Sequence, residues 1–240
     1  MKTKNISLPN YSINIVRAAK SMTIETKELP SSLARNEVLV KMIAAPINPS
    51  DISFIQGRYA INKPLPAIPG FEATGLVVDA GSDAIQLKDK RISCFTQKMD
   101  WGTFSEYFIA DAKDCIPLLK GFPEEQAACF SINPFTAYGL MEEVKKSDHT
   151  SVVLNAAGSQ VAGLFRQLAR MEGLKVVNII RKQELKNLLE EEGEEWILIQ
   201  DQENFEKDLT GTAKKANAHL AVDAVGGEMT GALINCMPDK

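Results

Sequence analysis

The chain has 240 residues, of which 45% are hydrophobic and 24% charged, with a formal net charge of −4. That composition fits one large or two modest soluble globular domains. It excludes a general affinity for nucleic acid or for an anionic membrane surface, and no apolar run approaches the length of a membrane span.

The opening segment, MKTKNISLPNYSINIVRAAK, has no continuous apolar stretch of the signal-peptide kind, so a cytoplasmic setting is the default expectation. The first half then shows alternating β patterns at Ser12–Arg17, Glu37–Ala44, Thr74–Asp79, Arg91–Phe95 and Phe104–Ile109. Proline- and glycine-bearing segments such as Asn62–Gly70 separate them and argue against long helices. Asn48-Pro49 predicts a turn, with Ser50 capping a short helix that reaches Gln56.

The pattern changes near residue 125. Pro123-Glu124-Glu125 reads as a helix start, with proline in the first position and acids in the first turn. A longer helix is expected over Pro134–Lys146. Strands near 151–155, 175–180, 196–199 and 219–223 then alternate with helices at 159–172, 182–192 and 203–217. This alternation predicts a parallel, doubly wound sheet. Gly226-Gly227 and a helical stretch to Met237 follow, and Pro238-Asp239-Lys240 reads as a turn into another strand. A full sheet of this kind has about six strands, so the chain is expected to stop short of a complete one. The Glu190–Glu195 cluster reads as a solvated helix end around Gly193.

Ser151–Arg181 carries the most chemistry. An apolar strand runs into Ala156-Ala157-Gly158-Ser159, a helix follows, and a second strand ends at Arg181. This is the βαβ opening of a dinucleotide-binding domain, whose first helix aims free backbone N–H groups at a phosphate. The usual Gly-x-Gly-x-x-Gly spacing falls on Ala157, Ser159 and Ala162, which are small but not glycine, while Gly158 lies out of phase. The backbone at Gly158, Ser159, Gln160 and Val161 is the expected pyrophosphate contact. Where an NAD site has an acid after the second strand, this chain has Arg181-Lys182, suited to the 2′-phosphate of NADPH. A solvated charge pair opening the next helix is the other reading of the two. Gly226 and Gly227 follow the fourth strand, at the edge where open α/β sheets bind ligands, or form an ordinary tight turn.

The cysteines Cys94, Cys115, Cys129 and Cys236 are scattered, with no Cys-x-x-Cys pair, and are read as reduced thiols. His149 and His219 have no partner in sequence that would complete a zinc site, so no metal is expected.

Residues 44–75, AAPINPSDISFIQGRYAINKPLPAIPGFEATG, together with Ile132–Tyr138 and Ala221–Gly227, resemble the medium-chain dehydrogenase/reductase superfamily. The likeness is to its zinc-free quinone reductase and 2-enoyl thioester reductase branches. It implies an N-terminal chaperonin-10-like β domain over residues 1–125 and a Rossmann domain over 126–240, incomplete at its end, with the active cleft between them. Zinc alcohol dehydrogenases carry Gly-His-Glu where this chain has Gly70-Phe71-Glu72, and a phenyl ring cannot ligate zinc.

The resemblance also implies roles. Tyr59 is the expected acid that protonates the substrate α-carbon. Asn48 is expected to orient substrate or nicotinamide, and Asn133 and Thr136 to contact the nicotinamide half. Gln160 stands where the family has glycine. The expected function is an NADPH-dependent, metal-free reduction of an activated double bond, in a 2-enoyl thioester or a quinone. The alternative is a degenerate member that acts as a non-catalytic nucleotide-binding or structural protein. The resemblance leaves a homodimer open.

Overall fold

A computed structural model describes residues 1–238, so the expected turn at Pro238-Asp239-Lys240 lies largely outside the described residues. The chain divides into two compact units, Met1–Ile132 and a second that begins at Asn133.

The first unit opens with β1 (Lys2–Ser7), antiparallel to β2 (Thr23–Glu28), with Lys2 opposite Glu28 and Ser7 opposite Thr23. Its main sheet has the antiparallel order β6-β3-β4-β5-β7 among the described residues. These strands are β3 (Glu37–Ala44), β4 (Glu72–Ala80), β5 (Arg91–Phe95), β6 (Tyr107–Asp111) and β7 (Cys115–Pro117). The sheet forms around one core in which Val38, Val40, Val77, Ile92 and Phe108 are all fully buried. Alternation of these β-branched and aromatic residues buries one face and fixes the register. Gly75 is required where β4 crosses β3, because a Cβ there would lie 2.5 Å from the Lys41 carbonyl oxygen.

Several expectations are corrected here. Ser12–Arg17 is not a strand: Asn14 caps a helix, α1 (Ile15–Ser21), by accepting the Arg17 amide N–H at 3.0 Å. Ile13 and Val16 stay exposed, so their burial does not favour a strand and the local cap decides the conformation. The β1–β2 pair gives no apolar alternation to read, because its buried face is Thr3, Asn5 and Ser7 whereas Ile6 points outward. The sixth strand begins at Tyr107 instead of Phe104, and β7 was not anticipated. Helix α2 (Pro49–Ile55) is capped by Asn48 and not by Ser50, with the Asn48 amide N–H donating to Asp51 Oδ2 at 2.7 Å. Pro123 occupies the cap of α3 (Glu124–Ala128), one position before the helix.

The second unit is a doubly wound sheet. Helix α4 (Asn133–Lys145) leads to β8 (Ser151–Leu154), α5 (Gln160–Met171), β9 (Lys175–Ile180) and α6 (Gln183–Glu191). Strand β10 (Ile197–Ile199), α7 (Phe205–Ala216), β11 (Ala221–Val222) and α8 (Glu228–Cys236) follow. The strands are parallel, in the order β10-β9-β8-β11 among the described residues. Both faces are covered, which is why these strands read as continuous apolar runs. Val153, Val177 and Ile179 face α7 and α8, and Val152, Leu154 and Val176 face α4 and α5. The strand order reverses between β8 and β11. In open α/β sheets a ligand crevice forms at that place, outside the carboxyl ends of the strands. No helix among the described residues is long and apolar enough to cross a membrane.

Candidate functional site

In the second unit the turn after β8 has the form of an anion cradle. Ala156 is left-handed, at φ 48°, a conformation that costs a non-glycine residue roughly 1 kcal/mol or more. The Ala157 N–H donates to the Ile179 carbonyl at 3.0 Å and the Ser159 N–H to the Ala156 carbonyl at 2.9 Å, which closes the turn. Ser159 then caps α5, its Oγ accepting the Ala162 N–H at 3.2 Å. The N–H groups of Gly158, Gln160 and Val161 have no protein acceptor among the described residues. A cavity of about 220 Å³ lies at this turn, lined by Ala156, Gly158, Ser159, Arg181, Gln200 and Val225 among others. Gly158 has a packing reason to be glycine, since a Cβ would lie 2.7 Å from Leu185 Cδ1.

The other expected cofactor residues of this unit fall around the turn. Arg181 ends β9, lines the cavity, and makes no hydrogen bond or ion pair among the described residues. Lys182 caps α6 through its backbone. The Asn133 side-chain amide donates to Gln160 Oε1, which ties the start of α4 to the start of α5. Thr136 follows on the exposed side of the first turn of α4. Gly226 and Gly227 both have positive φ, at 76° and 63°, so both positions demand glycine. The Gly226 N–H is already taken by Asp223 Oδ1 at 3.0 Å, and it is Val225 that reaches the cavity.

Two further side chains, Asp223 and Arg166, organise the chain around this turn. Asp223 accepts from Asn155 Nδ2 and from the N–H groups of Val225 and Gly226, and the Thr230 hydroxyl also donates to it. These bonds, that of Gly226 foremost, hold its carboxyl well below the usual carboxylate range. Arg166 is buried on the inner side of α5 and donates to the Ala157 carbonyl at 2.6 Å and to Glu192 at 2.9 Å. Glu194 is bonded by Arg170 and Asn178, so the Glu190–Glu195 cluster is a charge network and not simply a solvated helix end. The signal for Arg166 was present, since a cation four residues after Ala162 and three before Ala169 shares their buried face.

The first unit holds the other expected residues. Gly57, at φ 70°, turns the chain after α2 towards Tyr59. The Tyr59 ring packs on Phe71, with centroids 5.3 Å apart, and Phe71 packs edge-on against Phe54 at the same spacing. The Tyr59 hydroxyl has no hydrogen-bond partner among the described residues. Asn48 is buried, and its Nδ2 donates to Glu72 Oε2 at 2.8 Å. The other oxygen of Glu72 accepts the N–H groups of Ser131 and Ile132, each at 2.8 Å, and the Ser131 hydroxyl at 3.1 Å. The sequence alone assigns no role to Glu72. Lys63, also unassigned, is a buried ammonium that donates to the carbonyls of Trp101 at 2.5 Å and Ile68 at 3.3 Å. Burial pulls its pKa down to about 8, against the opposing pull of Asp51 and Asp100. Among the described residues no group of three or more His, Cys, Asp or Glu side chains is placed to hold a metal ion.

Comparison with known proteins agrees with this anatomy. The alcohol dehydrogenase GroES-like domain matches residues 34–120. A crystal structure of a candidate NADPH:quinone reductase from Mesorhizobium loti is 30% identical and superposes with a TM-score of 0.90, covering 99% of this chain and 71% of that one. The chain belongs to the medium-chain dehydrogenase/reductase superfamily. Within that superfamily it is also 30% identical to the mitochondrial enoyl-acyl-carrier-protein reductase of Arabidopsis thaliana, over 94% of this chain. It spans 64% of that relative's length, less than two thirds. A solved complex of Etr1p with NADP and crotonyl-CoA, 22% identical, covers 99% of this chain and 72% of its own with a TM-score of 0.78, and carries the fold alone. In this superfamily member the place of the zinc-binding histidine is taken by Phe71, sealed in an aromatic stack.

Proposed function

We propose that this chain belongs to an NADPH-dependent, metal-free reductase acting on an activated double bond, with a 2-enoyl thioester preferred over a quinone. The observation that carries the reading is the turn at Ala156–Ser159. Its Gly158 N–H has no protein acceptor among the described residues and lines a cavity with Arg181, and the N–H groups of Gln160 and Val161, which open α5 directly after the turn, are likewise unpartnered. Those donors suit a pyrophosphate and the cation suits a 2′-phosphate. When bound, NADPH supplies the hydride.

The chain's own residues then have three tasks. The turn and Arg181 hold the nucleotide phosphates. Asn48, fixed by Glu72, orients the reacting groups. Tyr59, its ring held by Phe71 and its hydroxyl uncommitted, donates a proton to the α-carbon as negative charge builds there. The preference for an enoyl thioester rests on Tyr59, since quinone reduction needs no dedicated carbon acid. It is supported by the relatives named enoyl-acyl-carrier-protein reductases.

The test has two parts. NADPH is expected to raise the melting temperature of the chain well beyond NADH. In protein that turns over, Tyr59→Phe is expected to lower enoyl thioester reduction about 100-fold or more while leaving quinone reduction near wild type. Absence of any shift with either nucleotide, in a cooperatively folded sample, would favour the non-catalytic alternative, which the loss of all three fingerprint glycines motivates. An unchanged enoyl rate in the Tyr59 variant would remove the acid.

A further inference from the structure

The Ala157–Gly158 peptide is gripped from behind. Arg166 Nη1 donates to the Ala157 carbonyl at 2.6 Å, from a side chain that is itself only 4% exposed. A trans peptide points its C=O and its N–H in opposite directions. A carbonyl drawn towards the buried guanidinium therefore turns the Gly158 N–H away from it, and Gly158 lines the cavity at the turn. That N–H has no protein acceptor among the described residues, whereas the neighbouring N–H groups of Ala157 and Ser159 are both used within the fold.

The residue type at position 166 is costly without such a purpose. It shares the inner face of α5 with Ala162, Phe165 and Ala169, where an aliphatic side chain would pack without desolvating a charge. The chain instead surrounds the guanidinium with Glu192 at 2.9 Å and Glu194 at 3.7 Å. Glu194 is in turn held by Asn178 at 2.8 Å and Arg170 at 2.7 Å. The network keeps the charge compensated while one arm of the fork reaches the turn.

We propose that Arg166 is a positioning residue for the nucleotide: by holding the Ala157 carbonyl inward it presents the Gly158 N–H to a bound phosphate. This rests on the reading that the second unit takes NADPH. It would let a turn lacking the fingerprint glycines keep a donor aimed at the ligand.

The experiment is calorimetric titration of the 240-residue chain with NADPH, using wild type, Arg166→Met, Arg166→Lys and Glu192→Gln. Arg166→Met is expected to weaken NADPH roughly tenfold, the worth of one charge-supported phosphate contact. Arg166→Lys, which keeps a cationic donor, is expected to recover part of that loss and remains informative if the methionine variant does not fold. Glu192→Gln disturbs the same network but leaves the Ala157 bond, so it is expected to lower the melting temperature with affinity within about twofold of wild type. The amide resonance of Gly158 is expected to shift on NADPH addition in wild type and not in Arg166→Met. Wild-type affinity in both arginine variants overturns the proposal, as does an equal loss in Glu192→Gln. No binding to wild type overturns the nucleotide reading itself, and the positioning role with it.

Discussion

Asn155 and Asp223 join the two strands that flank the reversal of the sheet: Asn155 Nδ2 donates to Asp223 Oδ1 at 2.5 Å. Asn155 Oδ1 accepts the Ala224 N–H at 2.7 Å in return. The pair thus closes the carboxyl end of β8 onto the loop after β11, beside the Ala156–Ser159 turn. Replacing Asp223 with alanine releases the Val225 and Gly226 N–H groups together. The expected cost is about 1 kcal/mol, that of losing a loop cap, with weaker NADPH binding. The pH dependence has a definite sign. The folded carboxyl is held below its ordinary value, so its contribution is complete above about pH 4 and is lost as the pH falls further. Urea midpoints at pH 7 and pH 3 should converge for the two proteins at the lower pH; a constant gap would show that Asp223 does not titrate this way.

Arg181 is the expected discriminator between the two nicotinamide nucleotides. Arg181→Ala should weaken NADPH about tenfold and leave NADH nearly unchanged, because only NADPH carries the 2′-phosphate. Since the guanidinium is exposed, the gap should narrow with added salt. Parallel losses for both nucleotides would place the contact elsewhere.

Glu72 and Asn48 make a polarity-specific pair. In Glu72→Gln, one end of the side chain becomes a donor. If its oxygen stays with Ser131 and Ile132, its NH₂ faces the Asn48 NH₂. The single variant should lose about 1–3 kcal/mol, the cost of an unmatched buried polar group. Adding Asn48→Asp restores a donor–acceptor match, and the double variant should recover part of the loss. Additive losses in a denaturation double-mutant cycle would argue against direct coupling.

Lys63 predicts alkaline behaviour. Its pKa in the fold is about 8, below the ordinary 10.5. Between those values the unfolded chain binds the proton and the folded chain does not, so stability should rise with pH. Wild type should gain on Lys63→Met by an amount on the order of 1 kcal/mol per pH unit between pH 8 and pH 10. Denaturant midpoints that stay parallel across this range would mean that the ammonium is not titrating.

Much of the second unit follows from local pattern alone. Its central strands β8 and β9 are buried on both faces and read as apolar runs, and Ser159 caps the helix between them, so short-range periodicity is enough. The same holds for β3 and β5 of the first unit. It fails for α1, where an asparagine cap outweighs exposed β-branched residues, and for β1, whose buried face is polar because it bonds to chain far away, as the Thr3 hydroxyl does to the Tyr107 carbonyl.

By itself the sequence determined the two-part organisation, the small-residue turn after β8, the cations after β9 and the phenylalanine in place of a zinc ligand. All of these are properties of residue type and short spacing. Only the tertiary structure decided which polar groups meet: Glu72 with Asn48 and Ser131, Asp223 with Asn155, and Arg166 with the Ala157 carbonyl. A buried polar side chain must find its partner wherever folding brings one, and that partner leaves no periodic mark in the chain.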